Sequence, residues 1–365
     1  MKKRIMHITV RADYGGAPNY MDLMINNISN NFEVHIACPE DKPYYQKWKD
    51  NIRVNGILLL PHRKFSPRAL LNLVRYLKKN KIELVQANGK GAGLYGRLVK
   101  LFCPQITIVF AYRGFHIFKY NFIQKRMYFL YERLMLTLTD KVINVSIGEQ
   151  NNCLSNGVLT KEKSIHIYNG ISSMSKNEDS KLKELYGNQF IIVTLSRFDV
   201  SKNMDSMYKI AYILKDISDF KFIWIGDGED KERLNQKATE EGLTNIDFVG
   251  FKSHIDIQRY FSISKLYLST SRWEGLPFAL IEACSVGLPI VATDVVGNNE
   301  VCIDGLNGFV FPSNDEELAA KAIKEIYINE DLREIFGRKS LELFEDRFTV
   351  EKMITNHEFL YESLL

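Results

Sequence analysis

The sequence predicts an α/β protein built from two Rossmann-like, doubly wound domains facing each other across a cleft. Three observations carry this expectation. Short apolar, β-prone runs alternate with helix-forming stretches along nearly all of the 365 residues, the pattern of parallel sheets with helices on both faces. The alternation is interrupted once, over the polar, turn-rich residues 168–189 (YNGISSMSKNEDSKLKELYGNQ), and the length suits two domains of ordinary size. The charge divides at the same place. Residues 1–170 hold 26 Lys and Arg against 11 Asp and Glu, and the remainder holds 22 against 33. Two units with different partners are expected. The boundaries read as a first domain over 1–167, a linker over 168–189, a second domain over 190–346, and a final helix over 347–365 that packs back toward the first domain.

In the first half, strands are expected at residues 5–10, 32–37, 57–60, 84–86, 106–111 and 142–145, with a helix at 19–28 and a basic amphipathic helix at 67–79. The start, MKKRIMHITV, imitates the basic beginning of an export signal. Its apolar part is too short and is broken by Arg11 and Asp13, so it reads as a first strand. In the second half, strands are expected at 190–195, 220–225, 246–249, 265–269, 290–293 and 308–311. Helices are expected at 203–213, 231–241, 315–329, 332–346 and 350–364. No apolar run approaches the length of a membrane span. The five cysteines (Cys38, Cys103, Cys153, Cys284 and Cys302) show no close pairing and read as reduced cytosolic thiols. The seven histidines lack metal-ligand spacing, and no Asp-x-Asp pair is present.

The chemistry concentrates at strand ends of the second half. Residues 271–289 read SRWEGLPFALIEACSVGLP, so that Glu274 lies on a tight glycine turn and Glu282 on the helix that follows. Pro277 suits the first turn of that helix, where its missing N–H is not needed. The unpaired N–H groups of such a turn, with the helix dipole, form a seat for phosphate, and an ionised carboxylate accepts sugar hydroxyls well. Taken alone, Glu274 reads equally as a solvated loop charge and Glu282 as a surface helix charge. Three further loops fall at the same end of the sheet. The first, SRFDVSKN at 196–203, carries Arg197 and Lys202, with Asn203 available to cap the next helix. The second is Gly226-Asp227-Gly228, and the third is VGNNE at 296–300. A guanidinium fork and an ammonium point charge both suit a diphosphate. In the first half, Gly15-Gly16 follows the first strand but is neither the dinucleotide fingerprint nor a phosphate loop.

Together these motifs resemble those of retaining GT-B glycosyltransferases of the family-4 type. The resemblance rests on S-R-x-x-x-x-K-N at 196–203, G-D-G at 226–228, E-G-L-P-x-x-x-x-E-A at 274–283, G-x-P at 287–289 and D-G-x-N-G at 304–308. Gly15-Gly16-Ala17 and the Tyr168-Asn169-Gly170 junction add looser matches. It implies a GT-B architecture and a metal-independent hexosyl transfer from an NDP-sugar, with a UDP-sugar expected and no cofactor beyond this co-substrate. Arg197 and Lys202 would hold the donor diphosphate and stabilise it as it leaves. Glu274 would meet the donor sugar and Glu282 the ribose. Backbone around Gly275, Leu276 and Pro277, with Gly226 and Asp227, would complete the nucleotide-sugar site. Gly15 and Gly16 would leave room for phosphate and acceptor. One segment departs from the family: Arg113 stands where many members carry a His, and His116 follows three residues on. Either could face the anomeric centre, although Arg113 does not lose its proton and cannot be a base.

Residues 112–133 (YRGFHIFKYNFIQKRMYFLYER) interleave aromatic and basic side chains, and 61–81 are basic as well. Such a surface suits an anionic bilayer interface, and equally a core-packing helix with solvated charges. The expectation is peripheral attachment to the inner face of the cytoplasmic membrane, with a lipid-diphosphate-linked saccharide as acceptor, in O-antigen, lipopolysaccharide or capsule synthesis. A GT-B-shaped nucleotide-sugar epimerase and a catalytically silent subunit of a polysaccharide assembly complex stand as alternatives. No nucleic-acid recognition motif accompanies the basic half.

Overall fold

A computed structural model of the chain describes residues 2–115, 117, 120–174 and 179–365. It divides into two compact units, Met1–Gly170 with Val350–Leu365, and Ile171–Thr349.

The first unit runs β1 (Lys3–Ile8), α1 (Gly16–Asn27), β2 (Phe32–Cys38), α2 (Tyr44–Lys49), β3 (Val54–Leu59), α3 (Pro67–Lys79), β4 (Leu84–Asn88), α4 (Lys90–Val99), β5 (Thr107–Ala111), α5 (Phe122–Leu136), β6 (Lys141–Asn144), α6 (Ile147–Ser155) and β7 (Ser164–His166). The strands form one parallel sheet in the order β3-β2-β1-β4-β5-β6-β7. A sheet covered on both faces needs apolar side chains on both, and β4 (LVQAN) is buried throughout. Helix α3 shows why its segment is helical. Ser66 caps it by accepting from the Ala69 N–H, Pro67 opens it, and Leu70, Leu73, Val74 and Leu77 bury one stripe. That stripe joins side chains of α4, α5 and α6 in a single buried cluster. Strand β3 starts at Val54, earlier than residue 57, because a register shift beside Val34 lets the Asn55 carboxamide accept from the Val34 N–H.

The second unit runs α7 (Ser180–Tyr186), β8 (Phe190–Leu195), α8 (Met204–Ile213), β9 (Phe220–Ile225), α9 (Lys231–Glu240), β10 (Ile246–Gly250), α10 (His254–Ile263), β11 (Leu266–Ser269), α11 (Phe278–Ser285), β12 (Ile290–Thr293), α12 (Asn298–Val301), β13 (Gly308–Phe311), α13 (Glu316–Ile328) and α14 (Glu330–Leu343). A π-turn follows at Phe344–Phe348. Its parallel sheet has the order β10-β9-β8-β11-β12-β13. The last helix, α15 (Val350–Leu364), belongs to the first unit and packs beside α1. The loops after β8, β9, β11 and β12 all leave the carboxyl ends of parallel strands and so lie along one sheet edge, where ligands of open α/β sheets bind.

One expectation fails inside 168–189, where α7 replaces part of the turn-rich segment. Asp179 caps α7 through the Leu182 N–H at 2.9 Å and pairs with Arg259, and Gly187 ends it at φ 57°. Tyr186 is the only fully buried side chain of α7, so hardly any apolar period announces it. All five cysteines are buried and unpaired. No helix among the described residues is long and apolar enough to cross a membrane.

The first unit also buries an ion pair. Arg97 of α4 meets Glu132 of α5 at 2.7 Å, with both side chains about 2% exposed or less, and Tyr112 donates to the same carboxylate oxygen at 3.1 Å. Removing one partner strands the other charge. Glu132→Ala should cost about 3–5 kcal/mol by urea denaturation. The Arg97→Met, Glu132→Leu double variant should recover most of that loss.

Candidate functional site

The loop after β8 carries Arg197 and Lys202. Arg197 is exposed and pairs with Asp199 at 3.0 Å. Lys202 Nζ lies 2.5 Å from Glu274 Oε1, and Ser271 donates to the same oxygen at 2.7 Å. The structure thus brings Lys202 and Glu274 together as a shielded pair, which removes the solvated-charge reading of Glu274. Asn203 does not cap α8. It sits at φ 53° with no capping bond, and its Oδ1 accepts from Arg272 Nη2 at 2.9 Å. The Arg272 N–H donates to the Ser201 carbonyl at 2.8 Å, and the Thr270 hydroxyl donates to the carbonyls of Lys202 and Asn203. These bonds stitch the lysine loop to the glutamate loop.

Glu274 begins the turn into α11. Pro277 occupies the residue before α11 (ψ 122°) instead of its first turn, and no side chain caps the helix. Gly275, Leu276 and Pro277 are all buried. Gly297, at φ 87°, rests on this turn so closely that a Cβ there would lie 2.4 Å from the Gly275 carbonyl oxygen. Gly226, at φ 135°, rests likewise on the lysine loop, a Cβ falling 1.8 Å from the Ser196 oxygen. Asp227 is exposed, accepts from the Gly228 N–H at 2.9 Å and faces Lys231 at 3.7 Å. Beneath the turn, Thr293 donates to the Ser271 carbonyl at 2.6 Å and in turn accepts from Asn298.

Glu282 is buried on α11, and its Oε2 has no hydrogen-bond partner among the described residues. Its reading as a surface charge is therefore wrong. Burial pushes its pKa from 4.5 up to about 8. Glu282 and Glu274 both lie near enough to Tyr267 to add to the burial that raises its hydroxyl pKa. Among the described residues, no three His, Cys, Asp or Glu side chains are arranged to hold a metal ion.

In the first unit, Gly15 precedes α1 in extended backbone at φ 164°, and Gly16 is the helix's first residue. A Cβ on Gly15 would meet the Arg11 guanidinium at 3.4 Å. Arg11 is itself held by Asp13 at 2.7 Å. Arg113, past the end of β5, adopts φ 56°. Its guanidinium lies over the Tyr20 ring and donates to Asn88 at 3.0 and 3.3 Å and to Asn169 at 3.2 Å. Burial, helped by the Arg113 charge, lowers the pKa values of His7 and His357 to about 3, so neither is an imidazolium near neutral pH. Glu149 of α6 is buried too, and accepts from the N–H groups of Gly114 at 2.6 Å and Val145 at 2.8 Å. Burial raises its pKa to about 7. His116 lies outside the described residues. No sequence motif assigns a role to Ser271, Asn88 or Glu149, and Asn169 enters only through the Tyr168-Asn169-Gly170 junction. Only Glu149 carries a local signal, three residues after Ser146, which caps α6.

Residues 14–173 match the family model for Glycosyltransferase Family 4, and residues 175–342 match that for Glycosyl transferases group 1. The chain is a family-4-type glycosyltransferase with the GT-B fold. An uncharacterised glycosyltransferase of Methanocaldococcus jannaschii is 30% identical over 64% of this chain, which spans 61% of that protein's length. The Escherichia coli UDP-Gal:alpha-D-GlcNAc-diphosphoundecaprenol alpha-1,3-galactosyltransferase is 23% identical over 90% of this chain and 89% of its own. The fold also superposes on the crystal structure of Anabaena HepE in complex with UDP and glucose. That likeness has a TM-score of 0.84 at 18% identity, over 99% of this chain and all of the other.

The raised pKa of Glu282 gives this glycosyltransferase a pH signature. Between about pH 4.5 and 8 the folded chain holds a proton on Glu282 that the unfolded chain has released. This group therefore lowers stability as pH rises through that window, with no further change above it. Glu282→Gln should resist urea better than the parent chain at pH 9, with the gain shrinking toward pH 5. An equal gain at both pH values would show that the carboxyl does not ionise late.

Proposed function

We propose that this glycosyltransferase moves a hexose or N-acetylhexosamine from a UDP-sugar to a lipid-diphosphate-linked saccharide. On this reading it retains the anomeric configuration and acts in bacterial O-antigen or capsule synthesis. The Lys202–Glu274 pair carries the reading. It places a cation and a hydroxyl-accepting carboxylate side by side, next to a helix start that no side chain caps. When a donor binds, its diphosphate competes for Lys202, and Glu274 is released to the hexose hydroxyls. The acceptor hydroxyl oxygen bonds to the anomeric carbon on the face the nucleoside diphosphate leaves, as the bond between anomeric carbon and phosphate oxygen breaks. That bond's electron pair goes to the nucleoside diphosphate, whose freed oxygen takes the hydroxyl's proton. Lys202, Arg197 and the α11 N-terminus meet that charge without reorganising. The loops of Gly226, Asp227 and Gly275–Pro277 frame the diphosphate, and Glu282 takes the ribose hydroxyls on its unpaired oxygen. Gly15, Gly16 and Arg113 serve the acceptor side. The E. coli relative's name, with its UDP-linked donor and diphosphoundecaprenol acceptor, supports both substrate classes. A lipid-linked acceptor would require the chain to work at a membrane surface, on this reading by peripheral attachment to the inner face of the cytoplasmic membrane.

Lys202→Ala should lower UDP release with a lipid-linked acceptor by well over tenfold; a smaller loss would sink the diphosphate role. In a thermal-shift screen, UDP should raise the melting temperature more than GDP or ADP. Dialysis against EDTA should leave turnover unchanged, since the leaving-group charge is assigned to side chains and backbone. NMR of the product should show the anomeric configuration of the donor.

A further inference from the structure

Helix α5 carries two apolar faces, and the first unit uses only one. Tyr128, Phe129 and Leu136 pack against the buried cluster under the sheet. On the other side, Ile123, Met127, Leu130 and Leu134 recur at the spacing of a single helical stripe, each between 59% and 68% exposed. Phe122, 70% exposed, extends the stripe at its start. The exposed charges of the helix are all cationic. Its one carboxylate, Glu132, is buried and neutralised by Arg97. Lys125 is half-buried on the same side as Glu132, seven residues away, while Arg126 and Arg133 are exposed. Helix α3, which packs on the same cluster, adds exposed Arg68, Arg75, Lys78 and Lys79, and residues 61–82 contain no acid.

We infer that the outer face of α5 is the surface by which the chain lies on an anionic phospholipid bilayer. In that pose the stripe enters the headgroup boundary and the cations of α5 and α3 meet lipid phosphates. Apolar residues backed by Lys and Arg, with no exposed acid, match an anionic interface in both hydrophobicity and charge sign. A second copy of the chain fits less well, because a two-fold contact would set each helix's cations against the same cations of its mate. The inference rests on the peripheral-membrane reading above and names the surface that reading requires.

The test is co-sedimentation of the full chain with vesicles of phosphatidylglycerol and phosphatidylcholine, and with phosphatidylcholine alone, at low and high salt. The parent chain should bind the anionic vesicles at low salt and lose binding at high salt. Met127→Glu with Leu130→Glu should reduce binding at least tenfold, and Arg126→Glu should reduce it mainly at low salt. All three positions are exposed, so the thermal shift with UDP should stay as in the parent chain and certify the fold. Absence of parent binding to anionic vesicles would overturn the proposal. So would equal binding by the double variant. Concentration-dependent dimerisation that the double variant abolishes would assign the stripe to a second copy instead. Vesicle binding without transfer to a lipid-linked acceptor would fail the acceptor assignment while supporting this surface.

Discussion

Along the carboxyl edge of the second sheet, the loops touch main chain to main chain. Gly226 lies on the Ser196 carbonyl, Gly228 on the Phe198 carbonyl and Gly297 on the Gly275 carbonyl, each too close for any side chain to intervene. This contact sets the rest of the edge. The loop bearing Lys202 and the turn bearing Glu274 are fixed by their backbones and by the Thr270, Arg272 and Asn203 bonds between them. Lys202 and Glu274 therefore need not spend their own hydrogen bonds on holding the loops in place. A site built this way presents charge from a rigid frame, the condition under which electrostatic stabilisation of a leaving group is strongest.

Three glutamates show how far environment separates identical side chains. Glu274 has a cation and a hydroxyl on one oxygen. Glu149 has backbone N–H groups on both oxygens and serves the loop around Gly114. Glu282 is buried like Glu149 but leaves one oxygen without a partner. Burial without compensation pushes the Glu282 pKa up to about 8. At neutral pH the carboxyl is then mostly protonated and can both donate and accept, a fit for a pair of vicinal hydroxyls that a fixed carboxylate would meet only as an acceptor.

Most of the sheet was legible because parallel strands are short, apolar and buried on both faces, which leaves a strong local pattern. The gathering of polar residues along the second edge was legible for a related reason. Gly, Arg, Lys and Glu recur just past strand ends, and parallel strands place all such ends together. Features decided by distant partners were not legible. Asn203 looked like a cap, yet Arg272 draws its side chain away and its backbone takes a left-handed turn. Helix α7 is stabilised by Asp179 and Arg259, which are 80 residues apart. Glu149 binds an N–H 35 residues earlier. None of these distant contacts leaves a period in the sequence, and the Ser146-to-Glu149 spacing marks only the start of α6.

Distant partners also tie the last helix to the first unit. Arg113 is placed by Asn88, Asn169 and the face of Tyr20, three groups from three separate segments. Tyr20 is placed in turn by α15. Its hydroxyl meets His357 at 2.7 Å and accepts from Gln86, whose carbonyl oxygen accepts from Tyr361. His357 is held in one orientation by the Met353 carbonyl, and with its pKa near 3 it stays neutral. The imidazole can then share a proton with Tyr20 without setting a second positive charge beside Arg113. A protonated histidine at this position would repel the guanidinium through an interior that screens charge poorly. The neutral histidine of α15 is thus a condition for keeping a permanently charged arginine at the end of β5. A chain cut before residue 350 would lose the His357 and Tyr361 bonds that place Tyr20 and Gln86.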